Sequence, residues 1–277
     1  MSEIYETVLR QFSEKIKPVQ EIKYYENSEK VAVIIDPRYD ALMEAVIRQH
    51  MFFLNPHGWN LMVVSHSSHA DKIRTDFPNC IFAEINESLV YYKDNNPNMT
   101  VTSYNNIMLN REFWKIVPAE NILIFQKDCF MYKMFDEKFL EYDYVGARAP
   151  LCVLENDTTM YLMNGGLSLR KRAAMIDCLQ NCSFEQIYEK IDMKKIVDVK
   201  NLFVKNEDIF FSLACPFLHK KMPVFDEIPF FSIEGEYFID AACKHGWNRP
   251  EHHTREQVLE ILSNNHNYAD LLAHLNV

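Results

Sequence analysis

Asp128 follows four unbroken apolar residues, Ile122 to Phe125, and the polar pair Gln126-Lys127. A short apolar run bounded by polar residues reads as a central strand buried on both faces. In open α/β sheets the ligand crevice lies outside the carboxyl ends of the strands. A carboxylate there can hold a divalent metal, and the metal can clamp a diphosphate. The plainer reading is an aspartate that caps a turn. Glu207 and Asp208 precede the apolar run Ile209-Phe-Phe211. Adjacent acids favour the positive end of a helix dipole, or they supply a general base and a neighbour that orients substrate. Asn164-Gly165-Gly166 leads into Leu167-Ser-Leu169, and the chain has only six glycines, so two side by side are not filler. They permit either a tight turn or a backbone surface for a sugar. His245, beside Gly246 and Trp247, is a candidate second ligand for a metal on Asp128. His252 and His253 are its rivals, in a polar stretch that reads as exposed.

These groups need a frame, and the apolar periodicity supplies one. Ile4, Val8, Phe12 and Ile16 mark an amphipathic helix that ends near Pro18 and could pair with a second copy of the chain. Strands at 31–35, 61–64 and 80–83 alternate with helices at 39–54 and 70–75, which argues for a parallel sheet with right-handed crossovers. A polar loop at 94–98 precedes a helical stretch at 102–116 and the strand that ends before Asp128. A short edge strand follows at 141–146, and 147–160 reads as a loop because its apolar residues have no period. The pattern then predicts a strand at 167–169, helices at 171–179, 184–191 and 207–213, a strand at 230–233, and helices at 254–262 and 268–275. With no repeat and no low-complexity linker, this is one α/β domain over 30–248 with helical extensions at 1–29 and 249–277.

Composition limits what that domain can do. The chain has 277 residues, of which 48% are hydrophobic and 13% aromatic, enough for a large core. Its formal charge is −10 and its pI about 5.5, the opposite of a nucleic-acid footprint. No apolar run approaches the ~20 residues of a membrane span. The first residues are charged, without the apolar core of a signal peptide. Seven cysteines, an odd number with no CxxC pair, fit a reduced cytoplasmic chain.

The ordered set of motifs resembles a family. It runs from a strand ending Ile-Asp36-Pro-Arg38 through Thr102-Ser-Tyr104-Asn105, Glu112-Phe-Trp114 and Ile-Leu-Ile-Phe-Gln-Lys-Asp128. Next come Tyr142-Asp-Tyr-Val-Gly-Ala147, Asn164-Gly-Gly-Leu-Ser-Leu-Arg170, Glu207-Asp-Ile-Phe-Phe211, Phe231-Ser-Ile-Glu234 and His245-Gly-Trp247. The set is similar to the glycosyltransferase-A-like (GT-A) family catalogued as a domain of unknown function in bacteria and large DNA viruses. That resemblance implies a single Rossmann-like GT-A domain with a mostly parallel central sheet flanked by helices. It implies transfer of a sugar from a nucleotide sugar, a UDP-sugar first among candidates, to a glycan or other hydroxyl acceptor, with Mn2+ or Mg2+ and inversion. Asp128 then matches the last acid of an Asp-x-Asp metal motif, with Gln126 in place of the first. His245 matches the late metal ligand, and Asp208 the base beside Glu207. Arg148 stands where proline is expected. Strand-end position makes Asp36, Arg38, Ser65 and His66, with Tyr104 and Asn105 nearby, the donor contacts, joined by Asn164, Gly165 and Gly166. The alternative function is a non-catalytic binding module for a nucleotide sugar or glycan, which Gln126 favours and the Glu207-Asp208 pair opposes. A nucleotidyltransferase ranks lower, because Asp36-Pro-Arg-Tyr-Asp40 is not a glycine-rich phosphate loop.

Overall fold

The computed structural model of the protein describes residues 2–85, 99–153, 159–189, 206–249 and 252–272. Its centre is a six-stranded sheet. The strands are β1 (Lys30–Ile35), β2 (Asn60–Ser65), β3 (Ile81–Glu84), β4 (Asn121–Phe125), β6 (Tyr144–Val153) and β7 (Thr159–Lys171). Their order across the sheet is β3-β2-β1-β4-β7-β6. β1 pairs in parallel with β2 and β4, and β2 in parallel with β3. β7 runs antiparallel to both β4 and β6. A second, three-stranded sheet joins β5 (Phe130–Met131), β9 (Cys243–Lys244) and β8 (Ser232–Ile233).

The apolar runs follow from this arrangement. Strand side chains alternate between faces, and here each face meets its own core. Ala32, Ile34, Leu61, Val63, Leu123 and Phe125 enter one core. Val31, Val33, Ile35, Met62, Val64, Ile122 and Ile124 enter the other. The first core is covered by α1 (Ser2–Ile16) and α2 (Ala41–Leu54). Near the carboxyl terminus it is covered by α10 (Arg255–Ser263) and α11 (His266–Leu272). The second is covered by α4 (Val101–Met108), α5 (Arg111–Ile116), α6 (Arg172–Asn181) and α8 (Glu207–Phe217). Of the short helices, α3 (Ala70–Asp76) adds Ile73 to the first core, α7 (Phe184–Tyr188) adds Phe184 and Ile187 to the second, and α9 (Ile228–Phe231) adds Ile228 to the second and Phe231 to the first. The stripe on α1 packs on α2 and α11, and Tyr5 and Tyr132 join hydroxyls at 2.5 Å. The apolar face that suggested pairing with a second copy is therefore covered within the chain.

Several elements differ from the sequence expectation. Residues 147–153 and 159–160 are not loop but parts of β6 and β7. Register shifts between Gly146 and Arg148, and between Arg148 and Leu151, break the alternation there, so the strand carries no legible period. The helical stretch at 102–116 is two helices, because Asn110 leaves the helical conformation and caps α5 by accepting from the Glu112 amide at 2.9 Å. The strand expected at 230–233 is only Ser232–Ile233, preceded by α9 with Pro229 in its first turn. His253 is buried, its Nε2 bonded to the Glu236 carbonyl at 2.6 Å, and His252 is half-buried. The loop at 94–98 and the ends of the helices expected to reach 191 and 275 lie outside the described residues. Among the described residues, no helix is long and apolar enough to cross a membrane.

Because α1 completes a core, Phe12→Ala should cost about 3–5 kcal/mol. Val19, 82% exposed, should tolerate alanine within ~0.5 kcal/mol. Urea denaturation of both variants checks the contrast, and an unaffected Phe12→Ala would mean that α1 is dispensable.

Candidate active site

A cavity of about 1020 Å3 opens beyond the carboxyl ends of β1 and β4, where an open sheet places its ligand crevice. Asp36, Arg38, Tyr104, Asn105, Asp128, Asn164, Gly166, Glu207, Asp208 and His245 all line it, so most of the sequence candidates converge. Three do not. Ser65 is fully buried within β2. His66 caps the next turn, its Nδ1 accepting from the Ser68 amide at 3.1 Å. Gly165 lies behind the wall, against Glu207 and Arg170.

Asp128 sits in the turn between β4 and β5. Cys129 closes that turn, its amide reaching the Gln126 carbonyl at 3.0 Å and its Sγ accepting from the Gln126 amide at 3.1 Å. The Asp128 carboxylate is thereby left for the cavity, 3.5 Å from His245 Nε2. Gln126 Oε1 lies 3.3 Å from the same nitrogen. A carboxylate, an amide oxygen and an imidazole nitrogen thus meet at one point. The Cys129 thiol is close too: its sulfur, a carboxylate oxygen of Asp128 and a ring nitrogen of His245 all fall within 4.8 Å of one another. Burial, and then the Asp128 charge, push that thiol up, so it stays protonated and donates to the Gly166 carbonyl at 3.2 Å. Burial disfavours the charged form of His245, but Asp128 and Glu234 outweigh it and raise its pKa.

The glycine pair is explained by what packs on it. A Cβ on Gly166 would fall 2.2 Å from His245 Nε2, and one on Gly165 would fall 1.9 Å from Glu207 Oε1. Real Cβ contacts are not that short. Gly166 therefore admits the imidazole, and Gly165 admits a buried ion pair. In that pair Arg170 donates Nη1 to Glu207 Oε2 at 2.6 Å and Nη2 to Oε1 at 3.1 Å. The guanidinium carbon stands 4.8 Å from the Tyr144 ring centre, 5.2 Å from Phe211 and 5.5 Å from Trp114.

The two adjacent acids consequently differ. Both Glu207 oxygens are held by Arg170, and its amide donates to Asn105 Oδ1 at 2.9 Å, so it is committed to the scaffold. Asp208, half-buried at the cavity wall, accepts from the adjacent Ile209 amide at 2.8 Å. The Gly165 backbone also bonds it, and among the described residues no cationic side chain clamps it. Burial, and then the Glu207 charge, push its pKa up to about 6. A carboxyl poised there suits proton transfer near neutral pH. On the β1 side, Arg38 grips Asp36 through Nε at 3.0 Å and Nη2 at 2.9 Å, and Lys127 binds Asp40 at 2.5 Å. Arg148, on β6, pairs with Glu236 through Nε at 2.6 Å. Sequence reading assigned no role to Arg170, Glu234 or Arg249, although the first two stand inside the motifs it quoted.

The fold and cavity define an open-sheet α/β protein with its ligand site at the carboxyl ends of the parallel strands. The chain belongs to the family described as a protein of unknown function (DUF5672), which it matches over residues 88–247, more than half its length. No curated protein matches it. Among solved structures it is similar to the galactosyltransferase LgtC in complex with donor and acceptor sugar analogs. That match has 13% identity and a TM-score of 0.49, over 90% of this chain and 97% of that one. An active-site mutant of LgtC gives 12% and 0.45 over 90% and 97%. The 4-diphosphocytidyl-2C-methyl-D-erythritol synthase of Anaerococcus prevotii DSM 20548 gives 10% and 0.31 over 68% and 96%. Likeness at this level says nothing about chemistry.

Glu207→Ala should lower stability by about 3–5 kcal/mol, since it strands a buried guanidinium. Asp208→Asn should act the other way. A carboxyl whose folded pKa is about 6 and whose unfolded pKa is about 4 takes up a proton on folding between those values. Its contribution is complete below the lower pKa and is lost as pH rises through the upper. The Asp208→Asn variant should therefore exceed the parent in stability at neutral pH and match it in acid. Denaturation midpoints across pH test both signs.

Proposed function

We propose that the protein is a nucleotide-sugar-dependent glycosyltransferase of the GT-A type, using a divalent metal and inverting the anomeric centre. The observation that carries this reading is the pairing, in one cavity, of a metal-ligand set with a separate, unclamped carboxylate of raised pKa. The motif order described above supports it. The residues present fit a divalent metal: Asp128, His245 and the Gln126 amide oxygen converge, and Gly166 leaves room for the imidazole. These oxygen and nitrogen donors suit Mn2+ or Mg2+. Gln126, in the first position of the acidic motif, keeps an oxygen donor there and gives up only its charge.

When bound, the metal offsets the negative charge that grows on a diphosphate leaving group. The protein's own side chains do the rest. Asp36, Arg38, Tyr104 and Asn105 line the wall beside the end of β1 and hold the nucleotide. Asn164 and Gly166 line the cavity beside the metal ligands, where the sugar lies. Asp208 takes the proton from the acceptor hydroxyl as its oxygen attacks the anomeric carbon opposite the leaving group, with the stereochemical logic of an inverting glycosidase. Glu207 keeps Asp208 in place through its grip on Arg170 and raises its basicity by its charge.

Two substitutions separate donor from acceptor chemistry. Asp128→Asn should weaken nucleoside-diphosphate binding in the presence of Mn2+, and calorimetry with and without a chelator reads this. Asp208→Asn should leave donor binding intact and cut transfer by roughly 10²–10⁴-fold. Parent transfer should climb with pH through about 6 as Asp208 ionises. Parent-rate transfer by the Asp208→Asn variant would remove Asp208 from the mechanism. Tight donor binding with no transfer to any hydroxyl acceptor would favour a binding module.

A further inference from the structure

His245 has two ring nitrogens, and only one faces the cavity. Nε2 meets Asp128 and Gln126, while Nδ1 points the other way, 3.3 Å from Glu234 Oε1. That contact is loose, since Nδ1 makes no aligned hydrogen bond, but it is buried and Glu234 is the acceptor within reach. The juxtaposition is set by strand register. β8 and β9 pair in parallel, Ser232 opposite Cys243 and Ile233 opposite Lys244, so the next residues, Glu234 and His245, leave the sheet side by side. The His245 amide bonds the Ile233 carbonyl at 2.9 Å, and the Trp247 amide bonds the Asp128 carbonyl at 3.1 Å. The same segment is thus fixed both to Glu234 and to the end of β4.

Glu234 is itself held. Arg249 Nη1 donates to its Oε1 at 2.7 Å, and Lys244 Nζ donates to its backbone carbonyl at 2.6 Å. Gly246, with φ of +67°, makes the turn that brings Arg249 back, and the Arg249 stem lies 3.4 Å from where a Cβ would stand. Arg249 also lines the cavity. A chain of contacts therefore runs from Arg249 through Glu234 and the imidazole to Asp128.

We infer that Glu234 is a positioning residue, placed to take the His245 proton at Nδ1 when a metal binds and so to free the Nε2 lone pair for it. The inference rests on the metal reading above. A neutral imidazole binds a metal through one nitrogen, and the hydrogen bond at the other selects which. Among the described residues, Glu234 is the side-chain acceptor beside Nδ1. Without it, the proton that a metal displaces from Nε2 has no such acceptor on the far side of the ring.

The test uses Glu234→Met, which removes the acceptor, and Glu234→Gln, which keeps one. In the metal-free parent at alkaline pH, Nε2 faces two acceptors, Gln126 Oε1 and Asp128, and carries the proton. With saturating Mg2+, nitrogen NMR should show it on Nδ1 instead, and Glu234→Met should populate that form less at the same Mg2+. Calorimetric titration with Mn2+ alone should show a roughly 10–100-fold weaker site in Glu234→Met, and Glu234→Gln should recover most of both properties. Thermal unfolding of each variant separates this from misfolding; should Glu234→Met fail to fold, Arg249→Gln supplies the same two readouts with a smaller shift. An unchanged tautomer and unchanged Mn2+ affinity in the folded variants would overturn the inference. A parent that takes up no Mn2+ sinks the metal reading and this inference with it, whereas a parent that binds Mn2+ no more tightly than Glu234→Met sinks the inference alone.

Discussion

A guanidinium shut among three aromatic rings stays charged, and burial makes that charge costly unless a carboxylate lies beside it. Burial pulls the Arg170 pKa down, and Glu207 more than restores it. The pair ties β7 to the first turn of α8 across the second core, and much of the site is arranged around it. Gly165 must lack a side chain to admit it. Trp114, Tyr144 and Phe211 pack around it. Asn105 reaches the same turn from α4 and receives the Glu207 amide. Asp208 inherits its position from this anchor, one residue along the helix, and part of its basicity from the fixed negative charge next door. Burying such a pair costs desolvation that its attraction only partly repays. What is gained is a helix start held in one place.

The physical cause of the division of labour between adjacent acids is visible only in three dimensions. By residue type Glu207 and Asp208 are equivalent, and only the motif resemblance named Asp208 the base. The residue that separates them is Arg170, 37 positions away, and spacing gives no sign of it. Gln126 shows the converse. Read against an acidic motif it marks a lost charge, yet its amide oxygen stands 3.3 Å from His245 Nε2, the nitrogen that Asp128 also faces.

The sheet was legible where burial is two-sided and pairing regular. β1, β2 and β4 feed alternate residues to two cores, so their runs are apolar throughout and easily seen. β6 and the first half of β7 were not legible, because bulges break the two-residue period and the pairing partner is a single neighbouring strand. The helix break at Asn110 was missed because a cap depends on one side chain accepting one amide, which periodicity does not weigh. The convergence of Asp128 with His245 followed from motif order. The turn at Cys129 and the β8–β9 register that make it geometrically workable did not.

The antiparallel run of β7 has a consequence for how such a protein diversifies. Phe125, the last residue of β4, pairs with Leu167, so residues 159–166 continue past the end of the central strand alongside the far half of β6. Among the described residues, the two strands there pair with each other and with no other strand of the sheet. The inner part of this hairpin belongs to the cavity floor, since Met163 bonds Ser212 and Tyr144, and Gly165 and Gly166 make room for the Arg170 anchor and for His245. Exchanges from Leu162 outward can reshape the cavity mouth while β4, Asp128 and that anchor remain as they are. A designer could therefore alter what the mouth admits by editing that outer part alone, without touching the residues that hold the site together.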